Sequence, residues 1–139
     1  MQQYTETVRN HFLNPRNAGV LEDPDGVGSV GDPVCGDFLC VMIKVRDDRI
    51  EDIRFQCRGC PAAIATASAM TELALGKTLD EAWGITDEAI EAAVGGLPPE
   101  KRHCSNLGAS ALAEAVLNHL HRCIEKELAE AKANPGQAR

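Results

Sequence analysis

Three of the six cysteines in this 139-residue chain stand at segment boundaries, where a thiol can point away from the core. Cys35 lies in the turn Gly31–Asp37, Cys60 directly precedes Pro61, and Cys104 follows a histidine. Thiolates are soft ligands that suit iron–sulfur clusters or zinc. We therefore expect Cys35, Cys60 and Cys104 to form one shared metal-binding site.

Two harder donors accompany these thiols. Asp37 is two residues from Cys35, so both side chains can point the same way on an extended segment. His103 stands next to Cys104, and we expect it to take part in the site.

Local charge predicts that two of the thiols ionise readily. Cys60 is the expected N-cap of a helix, whose dipole lowers a thiol pKa. Lys101 and Arg102 precede Cys104, and their positive charge favours its thiolate.

Packing explains the other three cysteines, because a free cysteine is often buried. Cys123 lies at the edge of an apolar helix stripe, Cys57 shares a strand face with Phe55, and Cys40 lies on the opposite sheet face. Surface or core roles, without metal binding, are expected for His11, His119 and His121.

Alternatives remain open for the Cys57-x-x-Cys60 pair, which occurs both in zinc knuckles and in redox sites. A thioredoxin-like site would need a parallel-sheet pattern that this sequence lacks. A closed zinc site could instead use four cysteines, namely Cys35, Cys57, Cys60 and Cys104.

The composition predicts one globular domain, residues 1–139, with a frayed tail over about 132–139. The net charge of -7 without a basic stripe argues against nucleic-acid binding. No apolar run approaches the length of a membrane span, and the first residues do not form a signal peptide. We expect a cytoplasmic protein whose thiols are reduced.

The order of elements predicts an α+β fold, with a small antiparallel sheet of about three strands packed against several helices. A short strand near Val27–Val30 precedes an alternating strand over residues 39–46. The turn Asp47–Arg49 then leads into a strand that includes residues 50–56.

Caps and apolar spacing predict helices over residues 5–13, 61–76 and 87–94. A short helix is also predicted to begin at residue 79. Leu97–Pro99 should form an extended, exposed corner. A long C-terminal helix should begin around Ser105 and carry an apolar stripe. The stripe consists of Leu112, Ala113, Val116, Leu117, Leu120, Ile124 and Leu128.

With these motifs in order, the chain resembles iron–sulfur cluster assembly scaffolds of the IscU type and the N-terminal domain of NifU. The matching segments are Asn14–Asn17, Gly31–Asp37, Gly59–Ala65 and Leu97–Ser105. The likeness runs from about Tyr4 to Leu128.

The resemblance implies a scaffold, not an enzyme, on which a transient [2Fe–2S] cluster is built from iron and sulfur. It carries over as site residues Cys35, Asp37, Cys60, His103 and Cys104. Cys104 would accept persulfide sulfur, and either Asp37 or His103 would be the fourth ligand. Zinc could occupy the same ligands.

The resemblance also implies partners. These are a cysteine desulfurase, apo-proteins that accept the cluster, and a ferredoxin or frataxin-like donor. Leu97–Lys101 resembles the segment that a DnaK-type chaperone recognises, and the cluster-bound protein could be a homodimer. The alternative is a zinc-binding, SufU-like sulfur-transfer protein, and a plain structural zinc domain is a third interpretation.

Overall fold

A three-stranded antiparallel sheet forms the centre of the computed structural model, which describes residues 4–31 and 36–133. Its strands, in spatial order, are β1 (Gly26–Gly31), β2 (Phe38–Arg46) and β3 (Arg49–Arg58). The helices are α1 (Glu6–Leu13), α2 (Pro61–Ala74), α3 (Leu79–Trp83), α4 (Asp87–Ala93) and α5 (His103–Ala133). This arrangement confirms the predicted α+β fold.

Local sequence explains where most of these elements begin and turn. The Thr5 side chain accepts a hydrogen bond from the Val8 backbone N–H, and Thr78 with Glu81 forms a complete capping box for α3. Asp47 and Asp48 connect β2 to β3 with φ angles of 52° and 62°. Two successive positive φ angles are typical of a tight hairpin turn, and aspartate tolerates them.

The main core lies between one face of the sheet, α2 and α5. Leu39, Val41 and Ile43 alternate along β2 towards this core, where they meet Met70 of α2 and Leu112 of α5. The short side chains of α2 bring it close to its neighbours, and most of them are buried. A side chain at Gly28 would collide with the backbone of α5, which runs directly over β1.

A second apolar cluster joins α1 to the segment before α5 and corrects one prediction. Leu97 is only 8% exposed and packs with Val8, Val94 and Cys104. The expected exposed corner is therefore wrong at its first residue, because Leu97 fills the space beneath α1. A 3₁₀ turn over Pro99–Lys101 then leads into α5.

The apolar stripe of α5 is buried only along its first half. Leu112 and Val116 are inside the core, whereas Leu120, Ile124 and Leu128 are exposed. A helix of 31 residues is about 46 Å long. A ten-residue strand spans about 34 Å, so the helix continues past the sheet. Helix α5 also begins two residues before the predicted start.

Among residues 4–31 and 36–133, no helix has the length and apolar character needed to cross a membrane.

A buried histidine attaches α1 to α2. The Nδ1 atom of His11 lies 2.7 Å from the Ser68 hydroxyl oxygen, which also accepts a hydrogen bond from the Arg16 backbone N–H. His11 Nε2 faces the Glu72 carboxylate at 3.4 Å. Burial and then the nearby Arg16 guanidinium lower the pKa of His11, although Glu72 opposes the shift. The lowered pKa favours the neutral ring, whose Nδ1 can accept a hydrogen bond from the Ser68 hydroxyl.

This lowered pKa predicts acid sensitivity. Below pH 6.5 the unfolded chain binds a proton at His11 before the folded protein does, so stability falls as the pH falls. When the pH is lowered from 7.5 to 5.5, the free energy of unfolding should fall more in wild type than in His11→Asn. The extra loss is at most about 1.4 kcal/mol. Urea unfolding at both pH values measures this difference. An equal loss in the two proteins would contradict the role of His11.

Candidate metal centre

Three separate segments supply the candidate ligands. Asp37 immediately precedes β2, Cys60 is the N-cap of α2, and His103 and Cys104 are the first residues of α5. Pro61 occupies the first turn of α2, where its missing N–H costs no hydrogen bond. Cys35, the remaining predicted ligand, lies outside the described residues.

Two of the distances among these side chains match those between ligands of one tetrahedral metal ion. The sulfur atoms of Cys60 and Cys104 are 3.7 Å apart, and Cys104 Sγ is 3.7 Å from His103 Nε2. Two thiolates on one tetrahedral ion are about 3.8 Å apart, and a thiolate and an imidazole nitrogen about 3.6 Å. Ligand atoms of Asp37, His103 and Cys104 all lie within 4.8 Å of one another. The donor set therefore suits a borderline or soft metal.

A glycine makes room for the carboxylate. A methyl group at Gly59 would stand 3.0 Å from Asp37 Oδ1 and 3.0 Å from the Ala63 side chain. A contact of 3.0 Å is tighter than ordinary packing, so a side chain at Gly59 must push the Asp37 carboxylate away. Gly59, the residue directly after β3, thus lets the Asp37 carboxylate approach Cys104.

Burial changes the expected ionisation of Cys104. Its side chain is fully buried, and this burial together with the neighbouring Cys60 raises the pKa of Cys104 to about 12. Lys101 acts in the opposite direction but more weakly. The predicted lowering of the Cys104 pKa is therefore wrong for the metal-free protein. A coordinated cation deprotonates a thiol outright, so the site remains suited to metal.

Lys101 instead faces the thiol of Cys60. The negative charge that Cys60 can carry raises the pKa of Lys101, which is the largest effect on that ammonium. Tyr4 also packs beside Cys60, and burial followed by Cys60 raises the pKa of its phenol. Sequence reasoning missed Tyr4 and Gly59 as site neighbours. The only available signal was the glycine directly before Cys60.

Two of the cysteines assigned to packing are half-buried in the sheet. Cys57 packs against both apolar clusters, close behind the site. Burial, followed by the charges of Asp37 and Cys60, raises the pKa of Cys57 to about 11. Cys40 is half-buried between Ser29 and Gln56 of the neighbouring strands.

The packing role predicted for Cys123 is wrong. Its thiol is exposed and lies 3.6 Å from Nε2 of His119, one turn earlier on α5. The Nδ1 atom of His119 is 3.3 Å from the Asp25 carbonyl oxygen, which turns Nε2 towards Cys123. This part of α5 has passed the end of the core, so no apolar surface covers the thiol.

Substituting Gly59 tests the placement of Asp37. Gly59→Ala should displace the carboxylate and weaken zinc binding by about tenfold, the lower end of the range for groups that orient ligands. Competition with a chelating dye measures the affinity. Gly36→Ala is the matched control, because a methyl group there meets nothing within 4 Å. Equal losses in the two variants would contradict the steric argument.

Alkylation rates test the burial of Cys104. In chelator-treated protein at pH 7.5, iodoacetamide should label Cys123 at least about tenfold faster than Cys104, because the thiolate is the nucleophile. Peptide mass spectrometry over a time course gives both rates from one sample. Equal labelling of the two thiols would show that Cys104 is neither buried nor held protonated.

Comparisons with known proteins show the family of this chain and agree with its fold. The sequence model of the family described as "NifU-like N terminal domain" matches residues 3–126. The iron-sulfur cluster assembly scaffold protein IscU 1 of Archaeoglobus fulgidus is 56% identical over 119 residues, covering 86% of this chain and 78% of that protein. The nitrogen fixation protein NifU of Azospirillum brasilense is 50% identical over 122 residues, covering 85% of this chain but 39% of that longer protein.

A solved structure supports the fold alone. The N-terminal region of a nitrogen-fixing NifU-like protein from Brucella abortus superposes with a TM-score of 0.69 at 18% identity. The match covers 85% of this chain and 94% of that one. From the family match and the identities, this chain belongs to the NifU-like N-terminal domain family.

Proposed function

We propose that this protein is a scaffold on which a [2Fe–2S] cluster is assembled from iron and sulfur and then passed to apo-proteins. The clustering of Asp37, His103 and Cys104, with Cys60 Sγ 3.7 Å from Cys104 Sγ, carries the proposal. The names of the curated relatives support it, since they describe cluster assembly scaffolds. Cys35 would complete the thiolate ligands.

The mixture of donors suits a cluster that is bound only transiently. The thiolates hold iron strongly, whereas a carboxylate is a harder ligand that exchanges more readily. Asp37 is half-buried and His103 is exposed, so an incoming thiolate could replace either. Either Asp37 or His103 would serve as the fourth ligand.

Sulfur would arrive as a persulfide on a cysteine desulfurase. Cys104 would react as the thiolate, which a cation bound at the site favours. It would attack the outer sulfur, forming a persulfide on Cys104 and returning the donor cysteine as a thiol. Iron and electrons would come from other proteins, such as a ferredoxin or a frataxin-like donor. The protein would therefore act as a carrier and not as a turnover catalyst.

Two further contacts belong to the proposal. A DnaK-type chaperone could bind Leu97–Lys101, although Leu97 is buried and would have to leave its cluster first. A homodimer could form around the cluster.

Anaerobic reconstitution tests the function directly. Protein incubated with ferrous iron, cysteine and a cysteine desulfurase should develop a visible [2Fe–2S] spectrum, which is then lost as apo-ferredoxin becomes loaded. Cys104→Ser should fail to assemble the cluster, whereas Cys40→Ser, a half-buried thiol outside the site, should behave as wild type. Tight zinc binding with no such spectrum would support the SufU-like relay instead. That alternative rests on the Cys60–Cys104 and Cys104–His103 distances, which fit zinc equally well.

Removing the carboxylate tests release. Asp37→Ala should keep an assembled cluster longer and transfer it more slowly, because the exchangeable oxygen ligand is lost. The half-time of transfer to apo-ferredoxin, followed by circular dichroism in the visible range, gives the comparison. Identical half-times for variant and wild type would remove Asp37 from the release step.

A further inference from the structure

The exposed half of α5 and the neighbouring α3 form a continuous apolar face. Trp83 of α3 is 54% exposed, and Leu120 and Ile124 of α5 are 42% and 54% exposed. A groove of about 310 Å³ runs between the two helices, with Leu79, Val116 and Leu117 in its walls. We call this surface, with Leu128 at its far end, the α3–α5 face.

Acidic residues border the α3–α5 face. Asp48 and Asp80 line the groove beside Trp83. Along α5, Glu125 follows Ile124 and Glu127 precedes Leu128, so each lies about 100° around the helix from its apolar neighbour. The apolar surface therefore has negative charge on its edges.

The nearby cations of α5 point away from this face. Arg122 and Lys126 are each two residues from Ile124, which places them about 200° around the helix. Arg122 is also engaged, because its guanidinium donates a 2.8 Å hydrogen bond to the Pro24 carbonyl. The charge pattern is thus one-sided along this stretch of the helix.

We propose that the α3–α5 face docks an amphipathic helix of a partner protein whose apolar side is flanked by lysine and arginine. Trp83 would anchor the contact, since tryptophan is a frequent hot-spot residue in interfaces. The basic flanks would meet Asp48, Asp80, Glu125 and Glu127 across the edges of the groove. The inference concerns a surface apart from the metal centre and does not depend on the proposed function.

A second copy of this chain fits the surface less well. Two copies would bring identical acidic borders together, and each chain carries a net charge of -7. Like charges facing each other across an interface oppose association. A basic partner has the opposite effect, because its charge complements the border.

The position of the face leaves the metal centre accessible. Leu120 lies 17 residues after His103 on one helix, which corresponds to about 26 Å. A helix docked at the α3–α5 face could hold the protein while other molecules reach Cys60 and His103.

Tryptophan fluorescence provides a direct test, because Trp83 is the only tryptophan in the chain. Two synthetic 15-residue helical peptides, with the same leucine face and with either lysine or glutamate on its flanks, are titrated into the full-length protein. The lysine peptide should shift the Trp83 emission to shorter wavelength and saturate. The glutamate peptide should cause no shift. Equal responses to both peptides would overturn the proposal.

Paired variants separate this face from general surface effects. Leu120→Ser with Ile124→Ser should weaken the lysine peptide at least about tenfold, or 1.4 kcal/mol. Leu13→Ser with Val20→Ser is the matched control. It removes two apolar side chains, 71% and 64% exposed, from another surface and should leave the affinity for the lysine peptide unchanged. Circular dichroism confirms that each variant folds.

A second pair tests the charges. Asp80→Asn with Glu127→Gln should weaken the lysine peptide more than Glu22→Gln with Glu88→Gln, which removes the same charge from other surfaces. Equal weakening would mean that only net charge matters and would overturn the docking site. A dimer of the protein alone in sedimentation equilibrium, lost in Leu120→Ser with Ile124→Ser, would also contradict it.

Discussion

The close approach of α2 and α5 at their amino ends is the contact on which the metal centre depends. The Thr66 hydroxyl on α2 donates to the carbonyl oxygens of Ala62 and, at 3.3 Å, of Cys104. Further along, a side chain at Gly108 would stand 3.4 Å from Met70, so small residues keep the helices near each other. This packing holds Cys60 and Cys104 side by side, although 44 residues separate them in sequence.

The same packing sets the chemical character of the site. It buries Cys104 and leaves Cys60 half-buried and His103 exposed, so one ligand is anchored in the core while others face solvent. Burial without metal disfavours the charged thiolate, and a bound cation reverses that preference. An anchored thiol combined with more accessible, harder donors is a physical basis for holding a cluster and then releasing it.

Much of this architecture could be predicted from local sequence. Strand alternation in β2, the capping box at Thr78 and the N-cap position of Cys60 all depend on neighbouring residues, and the structure confirms them. The errors concern properties that arise from distant parts of the chain. Leu97 is buried because α1 covers it, and the pKa of Cys104 is raised because burial outweighs the charge of Lys101.

The periodicity of α5 also did not indicate where the sheet ends. Its apolar stripe continues regularly to Leu128, but the core ends near Val116, so Cys123 and Ile124 are exposed. A pattern within one helix cannot indicate where its partner strands stop. The candidate ligands were proposed from residue types and the family resemblance, whereas the distances among Asp37, Cys60, His103 and Cys104 required the folded chain.

The central claim is that thiolates and harder donors from separate segments together hold one cluster. A Mössbauer spectrum of protein assembled with ⁵⁷Fe tests it most directly, because it resolves the ligand environment of each iron. We predict two quadrupole doublets of equal area, one from iron with thiolate ligands alone and one from iron that also carries an oxygen or nitrogen ligand. A single doublet from two identical all-thiolate iron sites, or no cluster signal, would contradict this account.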